Sequence, residues 1–94
     1  MNDKIKTDAV DEWFDAILTL ENREECYAIF SDIWTGKEIL SVAQRFEVAK
    51  MLREGKTYIE IGAKTGASTA TISRVNRSLN FGNHGFDMLF DRMK

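Results

Sequence analysis

The sequence predicts an all-α protein with about six helices and a helix-turn-helix at its centre. Three observations carry that prediction. Apolar residues recur at i, i+3, i+4 spacing along most of the chain, and no segment alternates as a strand would. Three pairs, Asn22 with Glu25, Thr35 with Glu38 and Thr57 with Glu60, each place a capping side chain three residues before a glutamate. There is no proline, and the glycines fall where helices should stop.

The first helix is expected from about Asp8 to Leu20, with Val10, Trp13, Phe14, Ile17 and Leu18 on one stripe. The second should run from Arg23 to Trp34 behind Asn22, with Cys26, Tyr27, Phe30, Ile33 and Trp34 on one stripe. The third follows Thr35 and reaches about Glu54, with Ile39, Ala43, Phe46, Ala49 and Leu52 inward and Gly55 as its cap. A short helix over Tyr58–Lys64, a turn at Thr65-Gly66-Ala67 and a helix opened by Ser68 come next. Gly82 and Asn83 break the chain before a last helix carrying Phe86, Leu89, Phe90 and Met93. A length of 94 residues makes a single domain over 1–94, with the helix-turn-helix at about 57–79.

Composition narrows the function. Apolar residues at 44% are enough for a packed core. No apolar run approaches the roughly 20 residues of a membrane span, and the N-terminal MNDKIKTD lacks a signal core. The single Cys26 cannot form an internal disulfide and no Cys/His set has zinc spacing, so a reducing cytoplasm is the expected location. The net charge of −2 conceals an uneven distribution. Residues 1–36 carry a balance of −6, residues 37–80 carry +4, and the remainder cancel. A basic middle behind an acidic front is what a phosphate-facing segment would show. Eight of the ten aromatic residues lie outside 37–80. Such flanks have more apolar surface than one small domain covers, so a homodimer with interlocking flanks is expected.

The segment YIEIGAKTGASTATISRVNRSLN meets the size requirements of a helix-turn-helix. Gly62 is small where the second helix crosses, and Gly66 tolerates a positive φ in the turn. Ala67 anchors the turn, and Ile72 and Val75 bury the second helix. Left outside are Ser68, Thr69, Ala70, Thr71, Ser73, Arg74 and Arg77, the candidate DNA-contacting set. Small side chains let a helix end enter the major groove, threonines offer hydroxyls and methyls to base edges, and arginines pair with phosphate or guanine. With no acidic residue among them, nothing repels the phosphates.

The stretches QRFEVAKMLREGKTY and GASTATISRVNRSL resemble the Trp repressor superfamily, in its YerC/YecD-like branch. The resemblance is close over residues 34–80 and only general in the flanking helices. It implies an intertwined all-helical homodimer that reads a palindromic site in double-stranded DNA. It also implies a small-ligand pocket at Thr35, Arg45, Arg74 and Ser78, the positions that surround the amino acid in tryptophan-sensing members. Val75 departs from those members, which have glycine there. A valine occupies space that an indole needs, at a cost of roughly 1–3 kcal/mol. L-Tryptophan is therefore not the expected effector; another small ligand, or none, is left open. No cofactor or metal is expected.

A sequence-specific DNA-binding regulator, acting as a repressor by occlusion, is the function so implied. The alternative is a helical protein-interaction module that keeps the helix-turn-helix shape. An enzyme is not expected: His84 is the only histidine, and no nucleophile or phosphate-loop spacing accompanies it.

Overall fold

The computed structural model describes residues 3–94. After a 3-10 turn at Asp3–Ile5 come six helices: α1 (Asp8–Ile17), α2 (Arg23–Ile33), α3 (Gly36–Arg53), α4 (Tyr58–Thr65), α5 (Thr69–Phe81) and α6 (Gly85–Arg92). No strand occurs among the described residues. The chain divides into two compact units, one ending at Ile39 and one spanning Leu40–Lys94.

In the first unit, Thr7 caps α1 by accepting from the Val10 amide at 3.2 Å. The helix stops at Ile17, three residues before the expected Leu20. The Thr19 amide and hydroxyl both donate to the Ala16 carbonyl, at 3.1 and 2.7 Å, and the Leu20 amide reaches Ile17. That tighter i→i+3 pattern ends the α-helical ladder. Asn22 caps α2 through the Glu25 amide at 2.9 Å, while Glu25 reaches back to the amide of Glu21, one residue before the cap. The box is thus shifted by one. Trp13, Phe14, Ile17, Phe30, Ile33 and Trp34 line an apolar groove of about 310 Å³, and Phe30 stacks on Trp34 at 5.1 Å. No described residue in α1 or α2 is buried.

The N-terminus of α3 carries the full reciprocal box: the Glu38 amide donates to Thr35 Oγ1 at 3.2 Å and the Thr35 amide to Glu38 Oε1 at 3.0 Å. At its far end Gly55 takes φ +80°, its amide donates to Leu52 and the Lys56 amide donates to Met51. This pair of bonds is a Schellman cap, which requires the left-handed conformation glycine supplies.

The core of the second unit consists of Val48, Ala49, Met51, Ile61, Ala67, Ile72 and Val75. Leu52, Leu79, Phe86 and Phe90 pack against it from the edge. The inward face of α3 therefore differs from the expected stripe. Ala49 is buried as expected and Phe46 and Leu52 are half-buried, but Ala43 is exposed and Val48 and Met51 take the central places. The reason is tertiary: the helix-turn-helix and α6 pack on the C-terminal half of α3, which shifts the buried arc toward Val48 and Met51.

Candidate nucleic-acid interface

The helix-turn-helix is assembled from local bonds that fix its turn. Thr57 and Glu60 form a reciprocal capping box at the start of α4, at 3.1 and 2.8 Å. Gly66 ends α4 at φ +73°, its amide donating to Gly62 at 2.9 Å. A left-handed residue is required there, which an L side chain would strain by about 1–2 kcal/mol. Thr65 Oγ1 donates to the Ile61 carbonyl at 2.8 Å and accepts from the Ala67 amide at 3.1 Å. Gln44 of α3 donates to the Thr65 carbonyl at 3.0 Å, tying the turn to the long helix. Gly62 faces the turn: a Cβ there would meet the Ala67 carbonyl oxygen at 3.6 Å, an ordinary contact, so the close crossing by α5 expected at this position is not what the structure shows.

Ser68 caps α5, accepting from the Thr71 amide at 3.1 Å and donating its own hydroxyl to Thr71 Oγ1 at 3.1 Å. Ile72 and Val75 turn inward, at 1% and 4% exposure. The opposite face of α5 presents Ala70, Ser73, Arg74 and Arg77, at i, i+3, i+4 and i+7, all exposed. Ser68 and Thr69 are exposed beside the helix start, and Thr71 is half-buried. Every residue of the expected contact set is thus on or next to one accessible face. No acidic residue lies in the first turn of α5, and neither Arg74 nor Arg77 is ion-paired among the described residues. Free amides, hydroxyls and two uncommitted guanidinium groups on a narrow helix face can hold phosphate oxygens and base edges.

Behind this face is a cleft of about 610 Å³ between α3, α5 and α6. Arg45, Arg74 and Ser78 line it together, with Phe86 and Leu89 as an apolar wall and no carboxylate on any side. Arg45 donates through Nε to the Ser41 carbonyl at 3.4 Å, and no glutamate pairs with it. Thr35, the fourth residue of the expected pocket, engages its hydroxyl with Glu38 at 3.0 Å as part of the α3 cap. Val75 contributes to the core and to the cleft at once.

The model of the Trp repressor protein family matches residues 8–94. The chain belongs to the Trp repressor family. Its resemblance within that family extends to the uncharacterized protein YerC of Bacillus subtilis, 55% identical over 92 residues that cover 98% of this chain and 88% of YerC. A TrpR-like protein from Eubacterium eligens superposes with a TM-score of 0.95 at 62% identity, covering 98% of this chain and 95% of that one. A candidate Trp repressor from Staphylococcus aureus superposes at 0.94 with 57% identity, over 99% and 94% of the two chains. Membership in the Trp repressor family supports the theme of DNA binding and transcription regulation. Among the described residues no helix is long and apolar enough to cross a membrane.

Three features of this region escaped the sequence reading. Gln44 holds the turn, a contact across 21 residues with no local signal. His84 adopts φ +59° at the start of α6, whereas the sequence places the break at Gly82 and Asn83. Phe86 and Leu89, which the sequence places only on a last helix, wall the cleft.

Proposed function

We propose that the protein is a sequence-specific transcriptional regulator that binds a palindromic site in double-stranded DNA as a homodimer and represses by occlusion. The observation that carries this reading is the outer face of α5: Ala70, Ser73, Arg74 and Arg77 aligned and exposed, without an ion pair on either arginine. Ser68, Thr69 and Thr71 complete the surface at the helix start. Small residues at the N-terminal end allow deep entry into the major groove, and the arginines further along reach phosphate or guanine. Two copies related by a twofold axis would present two such helices to half-sites about one helical turn apart.

Control by a small effector would act at the cleft of Arg45, Arg74 and Ser78, since Arg74 belongs to both the cleft and the outer face. Val75 is 4% exposed and packed with Ile61 and Ile72, so its side chain stands as structure in space a bound indole would need. An effector other than L-tryptophan, or none, fits this arrangement.

In vitro selection of random duplexes at fixed moderate salt, without ligand, tests the reading. An enriched palindrome supports a dimeric reader that needs no corepressor, and its affinity should fall steeply as salt rises. Recovery of no sequence, with and without candidate ligands, would leave the interaction-module reading in its place.

A further inference from the structure

Arg53, the last residue of α3, reaches two carboxylates, a main-chain carbonyl and an aromatic ring of α6. Its Nε lies 3.2 Å from Asp87 Oδ1, and its Nη2 lies 3.1 Å from Asp91 Oδ1. Its Nη1 approaches the Asp87 main-chain carbonyl at 3.5 Å, and the guanidinium stands 5.2 Å from the centroid of the Phe90 ring. Phe90 in turn lies 4.8 Å from Phe46 of α3. One arginine therefore holds two successive turns of α6 at three points. Arg53 is 31% exposed while Asp87 and Asp91 are 37% and 59% exposed, so water screens the charges and what the contacts supply is chiefly geometry.

The helix so held is eight residues long. A helix of that length has little stability of its own, so its position is decided by what it touches. Two other residues of this helix, Phe86 and Leu89, line the same cleft as Arg45, Arg74 and Ser78. Phe86 also packs against the core that contains Val75. At the joint that leads into α6, a Cβ on Gly82 would collide with the Ser78 carbonyl, so the chain passes close to the end of α5 there. A change in how Arg53 holds α6 must therefore appear at the wall behind the recognition helix.

We propose that Arg53 is a positioning residue for DNA binding, holding α6 through Asp87, Phe90 and Asp91 so that Phe86 and Leu89 back the face of α5 that carries Arg74. This inference rests on the DNA-binding reading above.

Asp91→Asn provides a test in which simple electrostatics and the proposal have opposite signs. Removing a negative charge should favour binding to a polyanion, and removing an acid from the C-terminal turn of α6 should favour that helix. Loss of the clamp should instead weaken binding. The expected result is about 3- to 30-fold weaker binding of the selected duplex at fixed salt, with dimer and melting close to the parent and Asp91→Glu restoring most of the affinity. Arg53→Gln should weaken binding in the same range. Should it fail to fold, Asp91→Asn still decides, because that side chain is 59% exposed. Binding by Asp91→Asn as tight as the parent or tighter overturns the proposal. So does a loss that follows dimer dissociation or unfolding, which would assign Arg53 to assembly. A parent protein that enriches no duplex removes the DNA-binding reading itself, and this inference with it.

Discussion

Arg74 sits at the meeting point of the outer face of α5 and the cleft behind it. Its exposure without an ion-pair partner is what a phosphate- or guanine-binding residue should show. Arg74→Ala is expected to weaken binding of the selected site by about 1–3 kcal/mol, and Thr71→Ala to weaken it in the same direction, with sedimentation still reporting the parent's assembly. Equal binding by both variants in a titration would mean that a different face is used. Val75 is the opposite case, a side chain whose work is inside. Val75→Gly removes a buried side chain and adds helical glycine, and is expected to cost about 2–4 kcal/mol in chemical denaturation. An unchanged midpoint would show that the core does not depend on it. Local chemistry at this scale was legible in advance. A cap and its glutamate three residues on are linked by covalent geometry, so Thr35–Glu38 and Thr57–Glu60 could be read directly. Arg53 could not be, because its partners lie 34 and 38 residues away. The only hint was Asp87 and Asp91 at i, i+4 on one face of the last helix.

Ion pairs tie α6 to the end of α3. The hydrogen bond from Arg53 holds the Asp91 carboxyl below its ordinary value of 3.8, with the fields of Arg53 and Lys94 adding to it. A carboxyl lowered in the folded state stabilises it fully above the unfolded pKa, and that contribution disappears as pH falls through the lower folded value. NMR titration of the Asp91 carboxyl should therefore show a midpoint below 3.8, moving up toward it in Arg53→Gln. A midpoint unaffected by that substitution would separate Asp91 from the clamp. Element ends and element faces differed in how well they could be foreseen. The stop of α3 at Gly55 follows from one glycine and two bonds. The inward arc of α3 does not follow from its own periodicity: a stripe through Ala43 and a stripe through Val48 and Met51 are both available to the helix. Packing of α4, α5 and α6 on its C-terminal half selects the second.

At the scale of the whole molecule, the two units differ in how well they satisfy themselves. The second has a core; the described part of the first has no buried residue, with Phe14, Leu18, Tyr27 and Ile33 each half or more exposed. Fewer than about 40 residues rarely hold a fold without a disulfide, a metal or a partner. A second copy is the partner proposed here, consistent with the aromatic groove of Trp13, Phe14 and Trp34. If so, the melting temperature should rise with protein concentration, and Phe14→Asp with Leu18→Asp should yield a monomer in sedimentation. A melting temperature independent of concentration over two or three decades would contradict a dimer in that range. The all-helical class and the order of elements could be read from periodicity and punctuation. How the flanks find cover could be foreseen only as a need, since aromatic content says that surface must be buried but not where.

The pair of hydroxyls at the start of α5 has a chemical consequence. Ser68 spends its proton on Thr71 and its lone pair on the Thr71 amide. Thr71 Oγ1 has thereby accepted one bond, which leaves its own proton available to donate. On the proposed DNA it is biased toward the role of donor. The base it meets should offer an acceptor in the major groove: guanine through N7 or O6, adenine through N7, thymine through O4. Cytosine, which offers an amino group there, should be the base depleted at one position of each half-site in the selected sequences. Ser68→Ala frees Thr71 from this bias and should let cytosine return at that position.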